Sequence, residues 1–119
     1  MTPSAPRASP RKHFRALARR PVSLSAAVVA GGGSWRREAR VIDLGLGGAR
    51  VTLPDAIPAG APLSLVIDAP HLWDPLEIDG TVAWARSAAD GAHVGVRFEP
   101  RSGSVLRRLT ELLEAAAFA

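Results

Sequence analysis

From Val22 onward the chain alternates short apolar, β-branched runs with clusters of Gly, Pro, Asp and Ser. Val22 to Ala30 is the first run, Gly31-Gly32-Gly33 breaks it, and Arg36 to Asp43 resumes as the second. Ala49 to Leu53 alternates as the third, and Pro62 to Asp68, Leu76 to Arg86 and His93 to Phe98 follow. Turn residues fill Pro54 to Gly60, His71 to Pro75 and Ala88 to Gly91 between them. Runs of this length and composition, bounded in this way, predict strands. No helical pattern separates them, which argues for an antiparallel barrel or sandwich and against βαβ units.

The period changes near the end. Val105, Leu106, Leu109, Leu112, Leu113 and Ala116 recur at three- and four-residue steps, with Arg107, Arg108, Glu111 and Glu114 off that stripe. The pattern predicts an amphipathic helix over about 104–116, capped by Ser102 or Ser104 and packed on the sheet. The fold class expected is all-β, a six-stranded antiparallel barrel with a C-terminal α-helix.

Length and charge then divide the chain. At 119 residues it fits a single domain. Residues 1–10, MTPSAPRASP, hold three prolines and no apolar period, and read as a disordered lead to one domain over 11–119. Arg7, Arg11, Lys12, Arg15, Arg19 and Arg20 put +6 on residues 1–20, with no acid among them. The remaining nine bases against eleven acids leave −2 on residues 21–119, so the net +4 belongs to a basic arm over 11–20. No cysteine is present, which excludes disulfides and thiolate chemistry and fits the cytoplasm. No apolar stretch approaches the ~20 residues a membrane span needs.

Several chemistries find no support. His13, His71 and His93 have no metal-ligand spacing, and no nucleophile elbow or phosphate-binding loop is present. Asp74, Glu77 and Asp79 form an acidic patch read as solvated surface, because no basic or nucleophilic partner lies near them in sequence. Trp35, Trp73 and Trp84 read as core or barrel-rim residues rather than stacking platforms. No enzyme, catalytic residue or metal site is expected.

One stretch asks for more than a strand and a turn: VIDLGLGGARVTLP, from Val41 to Pro54. Gly45, Gly47 and Gly48 are expected to supply positive φ angles for the reversal. Asp43 has two readings, a turn cap bonded to its own backbone or a ligand-binding carboxylate. Arg11 and Arg15 stand four apart in the arm, on one side of either a helix or an extended chain. Guanidinium groups can clamp phosphate or take the O6 and N7 acceptors of guanine, and a carboxylate complements the donors on guanine's other edge. A ligand with both guanine and phosphate suits the pair.

These motifs resemble the PilZ domain family, bacterial receptors for cyclic di-GMP. That family carries RxxxR before its first strand and (D/N)xSxxG after its second. RKHFR supplies Arg11 and Arg15, and DLGLGG supplies Asp43 and Gly48. PVSL, GARVTLP, IDGTVAWAR and VGVRF are similar to the family's strands, so the resemblance covers about Arg11 to Phe98. Gly45 stands where the family has serine. Arg15 to Arg19 is a second RxxxR register; the spacer before Pro21 favours Arg11 and Arg15, with Arg19 or Arg20 as auxiliary phosphate contacts.

The resemblance implies a PilZ-like barrel with no cofactor and with cyclic di-GMP bound by Arg11, Arg15, Asp43, Gly45 and Gly48. It implies an adaptor whose arm changes conformation on binding and signals to an unidentified protein partner. Two alternatives stay open: an interaction module that has lost the nucleotide with the missing serine, and a non-specific nucleic-acid binder acting through the arm. Nucleic acid is the less favoured partner, and no membrane insertion is expected.

Overall fold

The computed structural model describes residues 19–70 and 72–117. The lead, Arg11, Arg15, His13 and His71 lie outside the described residues. Within them the expected strands all form: β1 (Arg20–Ala30), β2 (Trp35–Leu44), β3 (Gly48–Leu53), β4 (Pro62–Asp68), β5 (Leu76–Ala88) and β6 (Gly91–Phe98). Every pairing is antiparallel, and the order β1-β2-β3-β6-β5-β4 closes on itself. Closure leaves no open sheet edge.

Side-chain alternation builds the interior. In β4, Leu63, Leu65 and Ile67 are buried while the residues between them are not. Leu76, Ile78 and Val82 repeat this in β5, and Ala92, Val94, Val96 and Phe98 in β6. A single apolar cluster fills the barrel. The turn Gly31–Gly33 joins β1 to β2 with all three residues left-handed, at φ 61°, 68° and 98°. Other residues rarely adopt that backbone, which is why a glycine run sits there.

Three ladders slip by one residue, and two of these slips decide what reaches the surface. Val41 pairs with Val51 but Asp43 with Arg50, so Ile42 is an extra residue in β2. An unbroken strand would put Asp43 on Val41's inward face. The bulge instead gives the inward place to Leu44, fully buried like Val41, and turns Asp43 to the outside beside Arg50. Ala83 does the same in β5: Val82 is buried, and Trp84 emerges at the surface opposite Gly95.

The C-terminal helix, α1 (Gly103–Ala117), rests on β5 and β1. Leu109, Leu112 and Leu113 are fully buried, three and four residues apart. Ser102 caps the helix by accepting from the Val105 N–H at 3.4 Å, and Arg108 donates to the Asp74 carbonyl at 2.8 Å. Two apolar expectations fail. Leu106 stays 43% exposed at the edge of the buried stripe, and Trp73 is 98% exposed in the β4–β5 loop, neither core nor rim.

Candidate functional site

Asp43 sits between two arginines on the outside of the barrel. Its Oδ2 lies 3.9 Å from Arg19 Nε on one side and 3.9 Å from Arg50 Nη2 on the other. The carboxylate is 18% exposed, against 50% and 42% for its partners. Long, half-solvated pairs of this kind contribute little to stability, about 0–1 kcal/mol. They hold the carboxylate in place while leaving it free to exchange partners. Among the described residues its partners are these arginines, not the backbone of its own turn.

The turn beyond it corrects the expectation about glycine. Gly45, Gly47 and Gly48 are not left-handed; the positive-φ glycines are Gly31, Gly32, Gly33, Gly60 and Gly91. The reversal is closed by the Gly45 N–H donating to the Gly48 carbonyl at 2.9 Å, and fastened to β6 by the Phe98 N–H donating to Gly47 at 2.9 Å. Gly48 is required for space: a Cβ there would collide with the Val96 carbonyl oxygen across the β3–β6 pair. At Gly45 a Cβ would lie 3.3 Å from Arg19 Cα, so the Arg19 backbone passes directly over this residue. The motif turn and the root of the arm are one surface.

Of the five site residues expected from sequence, Asp43, Gly45 and Gly48 are brought together here. Arg11 and Arg15 lie outside the described residues. Sequence reasoning missed Arg50, which follows the motif glycines and pairs across the strands with Asp43. The signal was available, since a tight β2–β3 reversal places the residue after Gly48-Ala49 opposite the motif aspartate. Among the described residues, Arg50 Nε is buried with no hydrogen-bond partner.

The acidic patch also differs from expectation at Asp79. That carboxylate forms an ion pair with Arg101 and accepts from Ser64 Oγ at 2.6 Å, so it is anchored rather than merely solvated. Its partner lies 22 positions away, beyond the range of a local reading. Among the described residues no helix is long and apolar enough to cross a membrane.

Comparison with known proteins supplies a frame for this geometry. The sequence matches the PilZ domain over residues 9–115. No curated protein matches it in sequence. Among solved structures it is similar to the Bacillus subtilis inhibitor of motility MotI/DgrA, with a TM-score of 0.68 at 14% identity over 85% of this chain. This chain spans 50% of the length of that protein. The PilZ domain of CeSA from a cellulose-synthesizing bacterium gives 0.65 at 16% identity, covering 82% of this chain and 96% of that one. The PilZ domain of Escherichia coli YcgR, solved with c-di-GMP, gives 0.65 at 17% identity, covering 82% and 86%. At such identities the likeness is one of fold.

Proposed function

Because the chain belongs to the PilZ domain family, we propose that it is a cyclic di-GMP receptor of the non-enzymatic, adaptor type, acting in the cytoplasm. Residues 11–119 work as one unit behind the lead 1–10. Asp43 and the turn through Gly45 and Gly48 present a carboxylate and backbone groups to guanine, and Arg11 and Arg15 close over the nucleotide from the arm. The nucleotide bound to the YcgR domain is the precedent among proteins of this fold.

One observation carries the reading: the Ile42 bulge turns the motif carboxylate outward, beside Arg19 at the base of the basic arm. A chain spans at most about 3.6 Å per residue, so four residues from Arg19 keep Arg15 within about 14 Å of the Asp43 surface. Ligand binding replaces the weak Arg19 and Arg50 contacts of Asp43 with charge-assisted bonds, which are stronger. The ordered arm then offers a changed surface to a protein partner.

Gly45 supports the competing reading of a module that no longer binds, yet the geometry favours retained binding. Its backbone is not left-handed, so the missing hydroxyl removes one contact without signalling a different turn. One hydrogen bond is worth about 0.5–1.5 kcal/mol, or roughly two- to tenfold in affinity. Isothermal titration with cyclic di-GMP is the test. Saturable heat is expected; silence at tens of micromolar nucleotide would refute the receptor reading. Steep salt dependence with indifference to nucleotide identity would support nucleic-acid binding instead.

A further inference from the structure

The β4–β5 loop carries the most exposed large apolar side chain among the described residues. Trp73 is 98% exposed, on a loop fastened on both sides of it. The Leu72 N–H donates to the Ala69 carbonyl at 2.9 Å, and Arg108 Nη2 of α1 donates to the Asp74 carbonyl at 2.8 Å. An indole held out in this way loses little further freedom when it is covered, and tryptophan is among the residues most enriched at interface hot spots.

Directly beside this knob lies a hole. Leu72, the residue before Trp73, lines a groove of about 420 Å³ whose other apolar lining is Leu24, Ala69 and Pro70. Its charged sides are Arg40 and Asp68, which stand either side of Ser25 in one row across β2, β1 and β4. Arg40 donates to Ser23 Oγ at 2.9 Å, and Asp68 is exposed. The knob has two charges of its own, Asp74 and Arg108. Among the described residues none of these four charges forms an ion pair.

We propose that this face pairs with the same face of a second copy of the chain across a two-fold axis, each Trp73 entering the groove of the other copy. A knob and a hole on one face are self-complementary, because a two-fold axis seats both at once. The charges match in the same sense: Asp74 meets Arg40 of the second copy, and Arg108 meets its Asp68. An unrelated partner would have to bring a knob and a hole of its own, whereas a second copy carries both. The pairing requires no nucleotide.

Sedimentation equilibrium of the nucleotide-free chain over a range of concentrations tests this, and a reversible monomer–dimer equilibrium is expected. Trp73→Ala should weaken the dimer roughly 30-fold or more, the loss that defines a hot spot, at unchanged melting temperature. Arg40→Glu and Asp74→Arg should each be largely monomeric, because either change sets like charges opposite one another twice. Mixed in equal amounts, these two variants should dimerise with each other, since both contacts then join opposite charges. Monomer at every concentration of the wild type would overturn the pairing and leave the face to a partner of another kind. A dimer that survives Trp73→Ala, or charge variants that stay monomeric when mixed, would equally overturn it.

Discussion

Two glycines in one turn serve different ends. At Gly48 a side chain has no room, because the Val96 carbonyl of the neighbouring strand occupies the place of a Cβ. Gly48→Ala should force β3 from β6 and lower stability by about 1–3 kcal/mol, the usual range for overpacking, seen as a reduced melting temperature. An unchanged melting temperature would show that the close approach is not needed. At Gly45 the nearest neighbour of a Cβ is Arg19 Cα at 3.3 Å, which a shift of a few tenths of an ångström relieves. Since the residue is not left-handed, Gly45→Ser should restore the family's hydroxyl and tighten cyclic di-GMP binding two- to tenfold at nearly constant melting temperature. Weaker binding together with a lower melting temperature would mean that the Arg19 backbone resists displacement.

Among the elements, strands and helix were legible for a simple reason. Each strand buries alternate residues against a common interior, so the pattern is written in every run, as Leu63, Leu65 and Ile67 illustrate. Bulges leave no such mark. Ile42 and Ala83 are apolar residues in apolar runs, and only the slipped pairing shows that they reverse the facing of Asp43 and Trp84. Contacts between distant segments, such as Arg101 with Asp79, are equally silent in the sequence. The motif aspartate could thus be named in advance, while the outward facing of Trp84 could not. α1 belongs to the same core: Leu112→Ala should cost about 2–5 kcal/mol by opening a cavity beneath the helix. Chemical denaturation reads that loss directly, and a shift below about 1 kcal/mol would show that the helix only rests on the barrel.

For the whole molecule, a nearly neutral barrel carries a strongly cationic arm rooted at the motif turn. An arm that closes over a nucleotide becomes less accessible, so trypsin cleavage after Arg11 and Arg15 should slow when cyclic di-GMP is added. Equal cleavage rates with and without ligand would contradict an ordering arm. Fold and function meet most directly at the two arm arginines, because they decide whether the Asp43 surface is half of a site or simply a turn. The decisive measurement is isothermal titration of cyclic di-GMP at physiological ionic strength into the wild-type chain and into an Arg11→Ala, Arg15→Ala double variant. Saturable binding is expected for the first. The double variant should lose about a hundredfold or more in affinity at unchanged melting temperature, each arginine contributing about 1.5–3 kcal/mol. Equal affinity of the two proteins, or no heat from the wild type, would contradict the account.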